Sequence, residues 1–589
     1  MSANAEIARL LDETAAMMEV LGENRFRVAA LQRASRVISG LGVDLAQIAQ
    51  DREALLAIDG VGDKIADKIQ EYVRTGRIAE HDEYAQRIPS GVLDLLGVPG
   101  LGPKTVGLLW REKNITTLAG LKRALEDGSI LDLPRMGKRS AERIARALAF
   151  TESSGSRTPI GVAMPIAESI VVRLEASARG ATAVYAGSLR RGRDTVGDVD
   201  ILACATDADA VSRAFREAPE VAEVLAAGAT KSSVRLRAGD TGRLIQADLR
   251  VVERRALGAA MLYFTGSKDH NVALRERARA RGLTLNEYGL FPDDGGPTPP
   301  QVRGVTPVAA KTEAAIYSKL GLAHIPPELR EDRGEIAAAE AGALPDLIEP
   351  DHISAELHAH TTASDGSLSI EALAREAQRR GFHTVAVTDH SKSQTVANGL
   401  DEARLREHIA SIRAVNERMR GVTVLAGAEV DIHADGSLDY DDDTLALLDI
   451  VVASPHWALT QKPADATRRL LRAIEHPLVD IVGHPTGRLI GKREGLSPDI
   501  AELCAAAAEH GTALEINAHW MRLDLRDTHV RAAVEAGAPI AINCDVHSER
   551  DFDNLRYGVM TARRGWLPAD RCVNAWSARR LRAWLGRRR

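Results

Sequence analysis

Cysteine is scarce in this 589-residue chain, and its four copies, Cys204, Cys504, Cys544 and Cys572, form no CxxC pair. Neither a disulfide frame nor a thiolate zinc site is suggested. Aromatic residues make up only 4%, beside 45% hydrophobic and 27% charged, an ordinary balance for a soluble protein. No uninterrupted apolar run is long enough to span a bilayer, so no membrane partner is expected. The opening MSANAEIARLLDE lacks the basic start and apolar core of a signal peptide, which predicts a cytoplasmic protein. An excess of basic residues is missing too, and the net charge of −6 argues mildly against nucleic acid. That average hides a division. Residues 1–340 carry 46 acidic and 46 basic side chains, residues 341–589 carry 36 and 30, and 14 of the 17 histidines lie at or after position 352. A chain this long exceeds one core, and its halves differ in chemistry.

Residues 5–150 have apolar residues at three- and four-residue spacing, which predicts helices. Three similar punctuations interrupt them: IDGVGDKIADKI (58–69), LGVPGLGPKTVGLL (96–109) and LDLPRMGKRSAERI (131–144). The first two read hydrophobic-x-Gly-hydrophobic-Gly before a helix, the helix-hairpin-helix pattern. Gly60, Gly62, Gly100 and Gly102 permit tight turns, which leave backbone N–H groups and a helix N-terminus outward as an anion site. Lys64 and Lys104 follow them. Such a site suits a DNA phosphate and carries no sequence information. A single Gly-x-Gly turn could equally just join two helices; two good copies favour binding. The third, with Arg135-Met136-Gly137, is degenerate, and packing alone would account for it.

Near residue 160 the pattern becomes α/β. GSLRRGRDTVGDVDIL (187–202) places Asp198 and Asp200 two apart at the mouth of an apolar strand, so both carboxylates share a face. RLIQADLRVV (243–252) adds Asp248 on a second strand. Three carboxylates on neighbouring strands can hold two divalent cations about 3.5–4 Å apart, the clamp of phosphoryl transfer. Gly187-Ser188 with Arg190 and Arg191 would then face a triphosphate.

The blocks GSLRRG…GDVD, ADLRVV, YFTGSKDHN (263–271) and LTLNEYGLF (283–291), in that order and spacing, resemble the family X DNA polymerases. The resemblance implies that Asp198, Asp200 and Asp248 bind two metals, Mg2+ or Mn2+, with Asp248 also activating the primer 3′-OH. It places Ser188, Arg191 and Gly197 on the incoming deoxynucleoside triphosphate. Tyr263, Phe264 and Gly266 would line the sugar pocket, and Asn271 and Arg275 would touch the nascent pair and template. In this family the first helix-hairpin-helix can carry a lyase lysine, and IADKI puts Lys68 there. Leu31, however, stands where lyase-competent relatives have a tyrosine, and plain phosphate binding by Lys68 weighs at least as much.

From 352 onward short β-branched runs end in a histidine or carboxylate: ISAELHAHT, HTVAVTDHS, VTVLAGAEVDI, LDIVVASPHW, VDIVGHPTG, ALEINAH and PIAINCDVHS. Amphipathic segments such as IEALAREAQRRGF separate them, which predicts a parallel sheet; seven units suggest a closed or nearly closed barrel with its site at the strand C-terminal ends. Imidazole and carboxylate donors suit zinc, manganese or iron. HxH…D, DHS, GxEVDI, SPH, GHP and DVH in this order resemble the polymerase and histidinol phosphatase (PHP) domain family. The resemblance implies nine ligands, His358, His360, Asp365, His390, Glu429, His456, His484, Asp545 and His547, around a cluster of three metals (Mn2+, Zn2+ or Fe2+) that activates water for phosphoester hydrolysis. Asp389 and Asp431 are expected to orient the histidines; His383, His433 and His519 fall outside the pattern.

The whole resembles the bacterial type of family X polymerase. The fold class expected is multidomain: all-α helix-hairpin-helix domains (1–85 and 86–152), an α/β nucleotidyltransferase palm (153–257), a nucleotide-selecting thumb-type subdomain (258–333), a linker (334–352), a PHP (β/α)7 barrel (353–575) and a basic tail (576–589), SARRLRAWLGRRR within it, that is either a solvated helix or a DNA contact. The function expected is template-directed gap filling in DNA repair joined to a metal-dependent 3′-5′ exonuclease. Its partners would be gapped or nicked double-stranded DNA and deoxynucleoside triphosphates, bound by a monomer. The rivals are a nuclease-dominant protein (exonuclease, 3′-phosphatase or abasic-site endonuclease) whose polymerase half presents DNA ends, a non-catalytic repair scaffold, and a template-independent nucleotidyltransferase.

Overall fold

A computed structural model describes the chain from Ala3 to Arg588, except residues 40–44, 59, 90, 99–100, 135, 139, 143, 146–147, 149–156, 239–243 and 297. It forms two compact units, Met1–Ser156 with Gly491–Arg493, and Arg157–Ile490 with Glu494–Arg589. Among the described residues no helix is long and apolar enough to cross a membrane.

The described elements of the first unit are helical, around a core that includes Ile7, Leu11, Met18, Val28 and Leu31. Leu31 is thus a packing residue. At the first hairpin Gly60 takes φ 78°, Val61 is buried, and Gly62 precedes the helix Asp63–Thr75 without a side-chain cap. At the second, Leu101 is buried and Gly102 precedes Pro103–Lys113, where proline in the first turn costs no hydrogen bond. In both, the buried residue between the glycines anchors the turn and leaves the helix N-terminus open. Gly100 and Arg135 lie outside the described residues; Met136 of the third punctuation is buried in the same core.

The second unit begins with a five-stranded sheet in the order Thr182–Tyr185, Asp198–Cys204, Leu244–Val251, Lys231–Arg237, Val221–Ala226. Alternation decides its faces. Val199, Ile201, Ala247 and Leu249 pack with Ile170, Leu174, Val211 and Phe215 of the helices Ile160–Ser177 and Ala208–Arg216. The even-numbered residues, Asp198, Asp200 and Asp248, therefore share the opposite face. A smaller cluster follows, with Leu274, Ile316, Tyr317 and Leu320 at its centre. The segment expected to be a linker folds into it: Glu335–Ala341 is a helix, Ala339 joins the apolar cluster, and buried Glu335 bonds His270 Nδ1 at 2.7 Å.

The last part is a barrel of seven parallel strands, Ala355–Glu356, Thr384–Val387, Thr423–Asp431, Ile450–Ser454, Ile481–Val482, Ala513–Asn517 and Ile540–Asn543, paired in chain order. Beyond the first and last strands the chain is joined by a parallel bridge between Ala359 and Val546, which nearly closes the ring. Small inward residues, Ala355, Ala386, Ala513 and Ala541, pack with Val573, Trp576, Leu581, Trp584 and Leu585. The C-terminal helix Ala578–Leu585 thus plugs the end of the barrel opposite the histidines. The basic tail is not a solvated helix: its Trp584 and Leu581 are core, and its arginines lie over tryptophans, Arg580 on Trp576 and Arg587 on Trp584. Sheet domain and barrel share cores, since Leu523 and Tyr557 enter the sheet's apolar cluster and Trp566 enters that of the thumb-type region.

Candidate active sites

The strands Asp198–Cys204 and Leu244–Val251 run parallel with Asp200 level with Asp248 and Asp198 level with Gln246. Ligand oxygens of Asp198, Asp200 and Asp248 consequently lie within 4.8 Å of one another. Burial, and then the neighbouring carboxylates Asp198 and Asp248, push Asp200 up to about 7; burial and Asp248 raise Asp198 as well. Crowding of this kind is relieved by a proton or by a cation. Gln246 donates to Asp248 at 3.0 Å and the Ser233 hydroxyl donates to its other oxygen, so that carboxylate is held in one orientation. Gly187 has φ 61°, and a Cβ there would collide with the Asp200 carboxylate. Only glycine fits this turn.

Beside the carboxylates lies a cavity of about 590 Å³ lined by Gly187, Ser188, Arg191, Gly197, Asp198, Asp200, Tyr263, Phe264, Gly266, Asn271 and Arg275. Apart from Arg190, the residues expected at a nucleotide line this one cavity. Sequence reasoning missed Arg157, Lys268 and Glu331, which also line it. Asn271 donates to the Tyr263 carbonyl at 2.7 Å, and Tyr263 meets Phe264 edge-on with ring centres 5.1 Å apart. Arg190, expected at the triphosphate, is turned away: it pairs with Glu313 at 2.6 Å. Arg191 faces the cavity, with Nε on Glu331 at 3.1 Å. Glu331 in turn receives Arg564 of the barrel at 2.9 Å.

In the first unit Lys64 and Lys104 are exposed on the first turns of their helices. Lys68 is engaged in an ion pair with Glu80 at 3.0 Å.

At the barrel mouth the histidines and carboxylates form three overlapping groups among the described residues: His360, Asp365, His390 and His547; His358, His360 and Asp545; His390, Glu429 and His456. His484 Nε2 lies 2.9 Å from Glu429, so all nine positions converge. His484 and Asp545 take left-handed backbone, φ 25° and 53°, the kind of strain kept at working sites. Burial opposes charge throughout, yet Glu429 with Asp365 holds His390 at about 10, and Asp365 with Asp545 holds His547 at about 9. His360, between His547 and His390, is pushed down to about 4, chiefly by burial. His358 Nε2, His360 Nδ1, His390 Nδ1, His484 Nδ1 and both Glu429 oxygens are buried without hydrogen-bond partners. Orphaned donors of that number fit metal ions, which would complete them.

The supporting groups depart from expectation in part. Asp431 does bond His456 Nδ1. Asp389 instead accepts from His408 at 2.8 Å and from Thr361 N at 2.8 Å, so it fixes the loop that carries Asp365 and no site histidine. Glu515 was not anticipated: it meets His358 Nδ1 at 2.8 Å and His484 N at 2.6 Å. Neither was Glu356, which burial pushes up to about 8 and which accepts from His358 N at 3.1 Å. His383 is structural, bonded to Ser354 and the Trp576 carbonyl; His519 stacks on Trp520.

The chain is 36% identical over 582 residues, 99% of each chain, to the DNA polymerase/3'-5' exonuclease PolX of Bacillus subtilis (strain 168). It belongs to the PolX family. Family models match in the same order: a helix-hairpin-helix domain over residues 2–78, a SAM-like helix-hairpin-helix tandem over 92–149, the DNA polymerase beta thumb over 260–331 and the PHP domain over 356–519. The barrel half alone is similar to a probable phosphatase of Thermoanaerobacter sp. (strain X514), 28% identical over 230 residues, 37% of this chain and 89% of that one. PolX membership thus accounts for both halves.

Proposed function

We propose that this chain is a gap-filling, template-directed DNA polymerase fused to a 3′-5′ exonuclease, acting in DNA repair. The observation that carries the polymerase reading is the register of Asp200 with Asp248 beside a cavity lined by Ser188, Arg191 and the Tyr263-Phe264 pair. Mg2+ or Mn2+ held by Asp198, Asp200 and Asp248 would neutralise the triphosphate and the attacking primer oxygen. Asp248, fixed by Ser233 and Gln246, is placed to take the proton of the primer 3′-OH. Ser188 and Arg191 hold the triphosphate, Gly187 and Gly197 let the backbone approach it, and Tyr263, Phe264 and Gly266 select the sugar. Asn271 and Arg275 face the nascent pair. Gly60, Gly62 and Lys64, with Gly102 and Lys104, grip backbone phosphates of gapped duplex at two helix N-termini. The Glu80 ion pair favours phosphate binding over lyase chemistry at Lys68.

In the barrel, the nine donors would hold a cluster of Mn2+, Zn2+ or Fe2+ supplying the nucleophile for phosphoester hydrolysis. Glu515 and Asp431 fix the ring orientations of His358 and His456, and Glu356 anchors the strand that bears His358. A monomer in the cytosol, working at the nucleoid, fits these partners.

The test is a one-nucleotide-gapped, 5′-labelled primer incubated with manganese, with and without deoxynucleotides. Asp248→Ala should abolish extension and keep shortening of the primer; His358→Ala should do the reverse. Shortening by the unaltered protein without any extension would remove the polymerase assignment.

A further inference from the structure

Behind the turn that carries Arg191 lies a second cavity, about 220 Å³, between the sheet domain and the barrel. Five arginines line it, Arg193, Arg333, Arg488, Arg526 and Arg564, against only two carboxylates, Asp194 and Asp527. Asp527 is already taken by Arg564 at 2.7 Å and Arg333 at 3.1 Å, and Asp194 by Arg488 at 3.1 Å. The Arg526 guanidinium has no hydrogen bond or ion pair among the described residues, and its Nε is buried. Arg488 is 6% exposed, and its Nε is likewise unpartnered. The field they create is legible on a neighbour: burial, with the charges of Arg526 and Arg488, drives His529 down to about 4. Five guanidiniums against two carboxylates, with the Arg526 side chain unpaired and Arg488 Nε buried without a partner, leave a surplus of positive charge that an anion would offset.

We propose that this cavity is a binding site for a small phosphoanion, inorganic pyrophosphate being its ligand. Planar guanidinium forks match phosphate oxygens in pairs, and a cavity of about 220 Å³ has room for a diphosphate. Arg193 lines both this cavity and the nucleotide cavity, so the two are joined through one side chain. The choice of pyrophosphate rests on the nucleotidyl transfer proposed above; the anion site itself rests on the arginines alone.

Calorimetric titration of the full chain with pyrophosphate in EDTA, which silences the cation-dependent centres, tests it. One saturable site is expected, weakened at least tenfold by Arg526→Gln and unchanged by Ser188→Ala. Since Arg526 has no partner to lose, its variant should melt like the unaltered protein. Should it not fold, Thr528→Glu, on an exposed position of the cavity rim, should repel the anion equally. Absence of binding at millimolar pyrophosphate, loss in Ser188→Ala with retention in Arg526→Gln, or stoichiometric displacement by a thymidine oligonucleotide each overturns the proposal. The last would make the cavity a contact for DNA backbone. Loss of primer extension by the unaltered protein would instead strike at the nucleotidyl-transfer reading and leave the anion site standing.

Discussion

Asp200 is held where its own ionisation is unfavourable. Burial and two carboxylate neighbours raise its folded pKa to about 7 from 3.8. A raised carboxylate contributes stability that is complete below the unfolded value and lost as pH climbs through about 7. Without cations, the protein should therefore weaken by about 2 kcal/mol between pH 5.5 and 8 from this group alone. Asp200→Asn should flatten that slope, raise the melting temperature in EDTA at pH 8, and eliminate incorporation. Melts in EDTA and in Mg2+ at both pH values check it; an unchanged slope in the variant would assign the pH dependence elsewhere. The same residue shows what could be read beforehand. Asp198 and Asp200 were legible because spacing of two puts carboxylates on one face, whatever the fold does later, and Asp248 because it stands in a second β-rich run, RLIQADLRVV. Glu515 was not, because it stands in ALEINAH as one polar residue within an apolar strand. Its partners His358 and His484 lie 157 and 31 positions away. Asp389 misled for the converse reason: adjacency to His390 in sequence put it on the other side of the strand end, toward His408.

Elements were easier to foresee than their environments. Seven strands that end in a histidine or carboxylate, alternating with amphipathic helices, specify a parallel barrel, and the ligand-type residues fall at one end because parallel strands all finish there. The tail was misread because its arginines dominate its composition, whereas its burial depends on Leu581, Trp584 and Leu585 at helical spacing. An arginine can lie its stem and guanidinium plane along a buried aromatic and still reach water. Segment 334–352 was misread similarly: alanine-rich and acidic, it resembles a tether until Glu335 finds His270. Because alanines share the barrel interior with Leu357, Ile450, Val452 and Ile481, the plug supplies the largest side chains of that cluster, Trp576 and Trp584. Trp584→Ala should thus destabilise the barrel by about 3–5 kcal/mol. Denaturant unfolding followed by tryptophan-independent circular dichroism reads it. Exonuclease activity should persist at low temperature, since the plug lies at the far end from the histidines; loss of digestion with unaltered stability would contradict this division of labour.

Between the domains, contact was not legible in the sequence, because the arginines and glutamates of the interface look like ordinary surface and its apolar members, Trp520, Leu523, Tyr557 and Trp566, are scattered singly among them. The structure joins them tightly: Trp520 sits against Gly161, where any Cβ would collide with its ring; Arg556 meets Glu168 at 3.0 Å, and Arg563 meets Glu328 at 2.8 Å. One of these links reaches the nucleotide cavity. Arg564, on the barrel helix Leu555–Arg564, donates to the Arg191 carbonyl at 2.8 Å and to Glu331 at 2.9 Å. Glu331 is shared between Arg564 and Arg191, so, at the triphosphate site proposed above, the barrel arginine would limit how strongly Glu331 competes with a triphosphate for Arg191. With Arg564 removed, Glu331 has only the polymerase-side arginines to neutralise it, and a buried carboxylate holds what remains strongly. Arg564→Ala is therefore expected to raise KM for the incoming nucleotide about tenfold, the worth of one charge-assisted hydrogen bond. Its kcat should change less, and Glu331→Gln in the same chain should restore KM. Steady-state incorporation into a one-nucleotide gap measures both, with 3′-5′ digestion of a single strand as the internal control, because no barrel ligand touches Arg564. If digestion falls in proportion, the arginine serves only to hold the barrel together; if KM alone moves and the double variant recovers, the hydrolytic domain sets the nucleotide affinity of the synthetic one.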